Sequence, residues 1–83
     1  MGDFKPEVAE YAYLDPSIEP AKSLFEVGRE VGVDGEILRS CAKRGRKDIG
    51  GTIHHLEVCR LPGGLGSSKE AYIRFLRKIN RLP

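Results

Sequence analysis

Two cysteines and two histidines are the residues best suited to chemistry in this chain: Cys41, His54, His55 and Cys59. Thiolates and imidazoles are common zinc ligands, and His55 and Cys59 can share one face of a strand. Zinc sites, however, normally use closely spaced pairs such as Cys-x-x-Cys, which the sequence lacks. A cysteine and a histidine can also act as nucleophile and base, but nothing indicates a third group that orients the base. We therefore predict no metal, no cofactor and no catalysis, with both cysteines as buried free thiols.

Charge is unevenly distributed along the 83 residues. The first 21 residues hold one base and five acids, a net charge of −4, whereas residues 22–83 hold thirteen bases and seven acids, a net charge of +6. A basic body is what a phosphate-binding surface requires. Because the length suits one domain, we interpret residues 1–21 as an acidic, largely irregular leader and residues 22–83 as the folded domain.

The leader carries prolines that interrupt any long periodic pattern. We expect a short helix at about residues 7–13, with Phe4, Tyr11, Tyr13 and Leu14 packing back onto the body. The first residues lack the apolar stretch of a signal peptide. No apolar run approaches the roughly 18 residues of a membrane span. We therefore expect a cytoplasmic protein that does not bind membranes.

Two short helices with a tight connection are predicted between residues 23 and 45. The first begins at Ser23, whose hydroxyl can accept a hydrogen bond from the backbone three residues later. It ends at Gly32, which can adopt a positive φ. Asp34 is the expected N-cap of the second helix. Gly28 is the small residue that lets the two helices approach each other closely.

The second half of the chain predicts a loop, a hairpin and a final helix. Residues 46–52 have the composition of a flexible loop, and residues 53–61 form a strand that returns as residues 65–67 after a Pro-Gly-Gly turn. A second capping box, Ser67 with Glu70, starts the last helix. The exposed side of that helix is basic, with Arg74, Arg77, Lys78 and Arg81.

The order of these elements resembles the winged helix-turn-helix domains of the MerR and phage-excisionase type. Residues 23–33 are similar to the opening of such a domain, residues 37–45 to its recognition helix, residues 56–64 to its wing and residues 67–71 to the start of the next helix. The resemblance covers about residues 22–80. It implies an α+β fold, a small winged helix-turn-helix with a short β-hairpin wing and a C-terminal helix.

The resemblance also implies a function. It indicates a non-catalytic protein that binds double-stranded DNA, as an excisionase-like factor or a transcriptional regulator. The recognition helix, at about residues 35–44, would enter the major groove, and the wing, residues 53–67, would lie on the backbone or in the minor groove. A recombinase or another protein is a further partner that the resemblance allows, as is a homo-oligomer on DNA.

The same resemblance also indicates which residues would contact DNA. The recognition-helix candidates are Gly35, Glu36, Arg39, Ser40, Lys43 and Arg44. The Arg39 side chain can donate two hydrogen bonds to a guanine edge, and the Ser40 hydroxyl can contact a base or a phosphate. The residues better placed for phosphates are Lys43, Arg44, Arg46 and Lys47. The wing candidates are His54, His55 and Arg60. Residues 39–47 are called the basic segment below.

Two further features bear on the resemblance. Gly28 stands where the family commonly has alanine, and Asp34 and Glu36 place negative charge at the start of the recognition helix. Glu36 can accept a hydrogen bond from a cytosine amino group. The alternative function is a protein-interaction module on the same scaffold, in which the acidic leader and the apolar face of the wing engage a partner.

Overall fold

The computed structural model describes residues 12–80, which form an α+β fold of three helices and two β-sheets. The elements in chain order are β1 (Ala12–Tyr13), β2 (Lys22–Ser23), α1 (Leu24–Val31), α2 (Gly35–Lys43), β3 (Arg46–Lys47), β4 (Ile53–His54), β5 (Glu57–Leu61), β6 (Gly64–Ser67) and α3 (Lys69–Asn80). The predicted α+β class is confirmed. None of the helices in this range has the length and apolar character to cross a membrane.

The two helices α1 and α2 begin and end through the local contacts that the sequence predicts. The Ser23 hydroxyl accepts a hydrogen bond from the backbone N–H of Glu26 at 3.2 Å. Gly32 ends α1 with a φ of 77°, a left-handed conformation that glycine adopts without strain. The Asp34 carboxylate accepts from the N–H of Glu36 at 2.8 Å and so starts α2. Only residues 32–34 separate the two helices.

Gly28 lies where α1 meets the turn that leads into α2. A Cβ atom at this position would lie 2.3 Å from the carbonyl oxygen of Val33 and 3.3 Å from the backbone nitrogen of Gly35. The Val33 N–H also donates to the Gly28 carbonyl at 2.9 Å. The absence of a side chain at Gly28 therefore allows the turn to lie directly against α1.

The core forms between the helices and the larger sheet. Its buried members are Leu14, Leu24, Val27, Leu38, Cys41, Ala42, Leu56, Val58, Cys59, Ala71 and Phe75. The helical spacing of Ile37, Leu38, Cys41 and Ala42 predicts that they form one apolar face of α2. Leu38, Cys41 and Ala42 are buried, whereas about half of Ile37 is exposed.

The larger sheet has the strand order β1-β5-β6-β2, in which β1 is parallel to β5 and the other neighbours are antiparallel. The predicted helix at residues 7–13 is wrong at its end, because Ala12 and Tyr13 are a strand; residues 7–11, with Phe4, lie outside the described residues. Leu14 is buried as expected, and its N–H donates to the Val58 carbonyl at 2.9 Å. Tyr13 remains largely exposed.

The single strand predicted for residues 53–61 is interrupted at His55 and Leu56. The N–H of Leu56 donates to the Cys41 carbonyl at 3.1 Å, and the His55 ring bonds to the Ala42 carbonyl at 3.0 Å. These carbonyls belong to the last turn of α2 and have no partner within that helix. The chain thus leaves the strand to satisfy them, and β4 pairs with β3 instead. Residues 46–52, predicted as a flexible loop, form the first strand and the turn of the β3–β4 hairpin.

The last helix starts one residue later than its predicted capping box. The Ser68 hydroxyl, not that of Ser67, accepts from the backbone N–H of Ala71, at 2.9 Å. Ser67 is fully buried at the end of β6, where its hydroxyl donates to the Glu57 carbonyl at 2.6 Å. Pairing of β6 with β2 and β5 therefore takes Ser67 into the sheet and leaves the cap to Ser68.

An ion-pair network joins the segment before β2 to α3. The Arg74 guanidinium lies 2.8 Å from a Glu19 carboxylate oxygen and 2.6 Å from one of Glu57. Lys78 lies 3.8 Å from the same Glu57 carboxylate, and the Ser68 hydroxyl donates to Glu19. Two of the bases expected on the open face of α3 are therefore paired with acids. The Ser68 hydroxyl and the Arg74 guanidinium hold the pKa of Glu19 below its ordinary value.

Replacing Glu19 with glutamine is expected to lower stability at neutral pH by about 1 kcal/mol, since one hydrogen-bonded, partly exposed ion pair is lost. A carboxyl whose pKa is lowered in the folded state stabilises above its unfolded value, here 4.5, and that contribution disappears as the pH falls through the folded pKa. The free energies of unfolding of Glu19→Gln and wild type, measured in urea, should therefore differ at neutral pH. They should become equal at acidic pH, below the folded pKa of Glu19. Glu70→Gln, the same charge change at an exposed position in the first turn of α3, is the control and should lose only the few tenths of a kcal/mol that a carboxylate contributes at an exposed helix N-terminus.

Candidate nucleic-acid interface

The outer side of α2 is a shallow, open groove lined mainly by charged side chains. The lining residues are Glu36, Arg39, Ser40, Lys43 and Arg44. They face outward because Leu38, Cys41 and Ala42 bury the opposite side of the helix. Among residues 12–80, no ion pair involves Arg39, Lys43 or Arg44. Five of the six predicted recognition-helix residues thus share one solvent-facing surface.

Gly35, the sixth predicted recognition residue, lies at the contact between the two helices. A Cβ atom there would be 3.5 Å from the Cα of Phe25 in α1. Gly35 is only partly exposed, whereas Phe25 is mostly exposed. The Arg29 guanidinium lies 5.7 Å from the centre of the Phe25 ring, a cation–π distance. The N-terminal end of α2 is therefore flanked by an exposed aromatic ring that the sequence analysis did not single out.

The Arg46 side chain forms hydrogen bonds at the base of the β3–β4 hairpin and does not extend freely into solvent. Its guanidinium donates to the Gly45 carbonyl at 2.9 Å and to the Ser40 hydroxyl at 3.3 Å. The side chain thereby connects β3 to the middle of α2. Lys47, the next residue, is exposed and has no ion-pair partner in the described range. Of the two bases in β3, Lys47 is the one free to meet a phosphate.

The two histidines predicted to contact DNA hold the same hairpin in place. His54 Nε2 lies 2.9 Å from a carboxylate oxygen of Asp48, which is itself only 6% exposed. His55 Nδ1 lies 3.0 Å from the Ala42 carbonyl oxygen. Because a carbonyl only accepts, this Nδ1 carries the proton and donates. Both rings are partly buried, at the junction between the hairpin and the end of α2.

Arg60 lies on the exposed side of β5, in the larger sheet. Its neighbours Val58 and Cys59 are buried, while Leu61 and Leu65 pack against the core. The β5–β6 hairpin therefore has its apolar side chains inside the domain. Arg60 is separated in the chain from the basic segment by the turn of the β3–β4 hairpin and by β4.

Cys41 and Cys59 are buried and free, as predicted. Burial raises the pKa of both thiols, and Arg46 partly opposes the rise at Cys41. A raised pKa keeps the thiols protonated at neutral pH, which disfavours both metal binding and nucleophilic attack. In the part of the chain that the structure describes, no three His, Cys, Asp or Glu side chains are grouped so as to hold a metal ion.

The tip of the β3–β4 hairpin is a surface feature that the sequence analysis missed. Ile49 is 78% exposed between Asp48 and two glycines. In the sequence, this feature could have been recognised from an isolated isoleucine in an otherwise polar and glycine-rich turn. Its exposure follows from the pairing of β3 with β4, which was not predicted.

Comparison with protein-family models, curated proteins and solved structures found no match. The geometry and charge of the described residues are therefore the basis for assigning a function.

Proposed function

We propose that this protein binds double-stranded DNA without catalysis, on a winged helix-turn-helix scaffold with α2 in the major groove. The observation that carries the proposal is the open face of α2. Arg39, Lys43 and Arg44 all lie on it without an acidic partner among residues 12–80. Elsewhere Lys22, Arg74 and Lys78 are paired with carboxylates. Arg29, Arg60, Lys69 and Arg77 also lack an ion pair in this range, but they are spread over α1, β5 and α3, whereas three such bases share the outer face of α2.

The arrangement of α1 and α2 supports this mode of binding. The major groove is about 12 Å wide and admits one α-helix. A helix used in this way must be braced from behind by another element and must keep its outer face free. The close contact at Gly28 provides the brace, and Leu38 and Cys41 fasten α2 to the core. Two β-hairpins follow α2, as a wing requires.

Different positions on the face suit different parts of DNA. Arg39 lies in the middle of α2, where a guanidinium can reach a guanine edge. Lys43 and Arg44 lie at the end of α2, and Lys47 follows in β3, so these three suit phosphates. Glu36 lies in the first turn and suits a cytosine amino group.

Replacing Arg39 with alanine is expected to reduce discrimination between duplexes more than it reduces non-specific affinity. A lost arginine–guanine contact costs about 1–3 kcal/mol at the base pair it reads. Selection of preferred sites from a random duplex pool, with wild type and Arg39→Ala in parallel, measures this. Uniform weakening without loss of preference would assign Arg39 to a phosphate instead.

Titration of a mixed-sequence duplex at two salt concentrations tests the proposal itself. Binding through several phosphates releases counterions, so affinity should be high at about 50 mM salt and fall steeply by about 200 mM. Absence of binding at the lower concentration would refute DNA binding. A salt-independent affinity would refute the assignment of Lys43, Arg44 and Lys47 to phosphates.

The alternative, a protein-interaction module, receives less support. It relied on the acidic leader, of which residues 1–11 lie outside the described range, and on an apolar wing face that engages a partner. In the β5–β6 hairpin, Val58 and Cys59 are buried, and Leu61 and Leu65 pack against the core. These apolar side chains therefore already make contacts within the domain. An enzymatic role receives no support from the cysteines, because burial raises the pKa of each thiol.

A further inference from the structure

The turn between β3 and β4 is held by several hydrogen bonds around Asp48. The Asp48 N–H donates to the Thr52 carbonyl at 2.8 Å, and the Gly51 N–H donates to the Asp48 carbonyl at 3.0 Å. The Asp48 carboxylate accepts from the Thr52 N–H at 3.0 Å and lies 2.9 Å from His54. These hydrogen bonds close the turn around Ile49, and its exposed side chain projects from the tip.

The base of the same hairpin is fastened to α2. The Arg46 guanidinium donates to the Ser40 hydroxyl, and the His55 ring bonds to the Ala42 carbonyl. The backbone N–H of Leu56 donates to the Cys41 carbonyl. These contacts all involve the second half of α2. A duplex seated on the outer face of α2 would therefore meet this hairpin at the C-terminal end of the helix.

Charge distinguishes Ile49 from the other most exposed isoleucine of the described residues. Ile49 lies two residues after the end of the basic segment, whose exposed members include Lys43, Arg44 and Lys47, and the intervening Asp48 carboxylate is partnered by His54. Ile18 is 81% exposed, but it lies between Asp15 and Glu19 and has no basic residue within three positions along the chain. The surroundings of Ile49 match a polyanion.

We infer that Ile49 inserts between base pairs from the minor groove and bends the duplex bound to α2. Apolar side chains on exposed tips act in this way in DNA-bending proteins, where unstacking a base step is offset by the larger surface that bent DNA presents. The inference rests on the proposed DNA binding and adds to it a second contact, on the β3–β4 hairpin instead of the β5–β6 hairpin.

Energy transfer between dyes at the two ends of a mixed-sequence duplex of about 30 base pairs tests the inference. Wild type should bring the ends closer together at saturation. Ile49→Ala should bind about tenfold more weakly, because an apolar contact is lost, and should leave the duplex nearly straight. Its salt dependence should equal that of wild type, since no charge is removed. Ile49→Met, which keeps a long apolar side chain, should retain the bend.

Ile18→Ala is the matched control, an equally exposed isoleucine between Asp15 and Glu19, and should bind and bend like wild type. Circular dichroism should show the wild-type fold for all three variants. If wild type binds the duplex without bending it, or Ile49→Ala bends it fully, the inference is wrong and the proposed DNA binding stands. If wild type does not bind at low salt, both fail. If Ile49→Ala binds and bends the duplex as wild type does, the hairpin tip would instead serve to contact a protein partner.

Discussion

Gly28→Ala is expected to destabilise the domain by about 2 kcal/mol, although alanine is the better helix former. The gain in helix propensity is about 1 kcal/mol. Against it, the new methyl carbon would lie 2.3 Å from the Val33 carbonyl oxygen, so the turn must move away from α1. Such displacement costs about 1–3 kcal/mol, and a backbone atom as the obstacle puts this site at the upper end. In a chain of this size that is a large part of the total stability.

Urea unfolding followed by circular dichroism measures this effect. Gly63→Ala is the control, because a Cβ at Gly63 has no neighbouring atom within 4 Å. That variant should unfold at nearly the wild-type midpoint. A Gly28→Ala protein as stable as wild type would show that α1 and the turn are not in contact as described.

Replacing Lys43, Arg44 and Lys47 together with glutamine is expected to have the largest effect on DNA binding. Each phosphate contact contributes about 0.9 to the slope of log affinity against log salt, so three lost contacts should lower the slope by nearly three. At roughly 1 kcal/mol for each contact, affinity should fall about a hundredfold. The three side chains are exposed and absent from the ion pairs of the described residues, so the fold should be retained.

The matched control is the triple replacement of Lys69, Arg77 and Lys78 with glutamine. It removes the same net charge from exposed positions on α3, away from the outer face of α2. Its affinity should fall only slightly, and its salt slope should stay close to that of wild type. Equal losses in the two triple variants would mean that net charge alone drives binding, with no particular role for α2.

The features that could be predicted from the sequence depend on contacts between near neighbours in the chain. The caps at Ser23 and Asp34, the end of α1 at Gly32 and the close approach at Gly28 all follow from residues at most five positions apart. Such contacts follow from residue type and spacing alone. The general course of α1, the turn and α2 was therefore predictable.

The features that could not be predicted depend on distant partners. The strand breaks at His55 because the carbonyls of Cys41 and Ala42 need donors, and that need arises only when α2 lies beside the strand. Ser67 and Ser68 have identical hydroxyls, and sheet pairing alone decides which one caps α3.

The candidate interface divides in the same way. The open face of α2 follows from helical periodicity, so Arg39, Lys43 and Arg44 were correctly placed on one surface. The acceptors of Arg46 and the hydrogen bonds of His54 and His55 depend on how the β3–β4 hairpin folds back. Residue type predicts these three side chains as DNA contacts, and it could not show that each also forms a hydrogen bond that holds the hairpin.

Docking of the outer face of α2 on duplex DNA can be observed residue by residue. Isotope-labelled protein is titrated with a mixed-sequence duplex at low salt, and each backbone amide is followed by NMR. We expect the largest shifts on residues 35–47 and on the hairpin tip near Ile49, with little change across α3. Shifts concentrated on α3 or on the segment around Glu19, with α2 unaffected, would contradict this mode of docking.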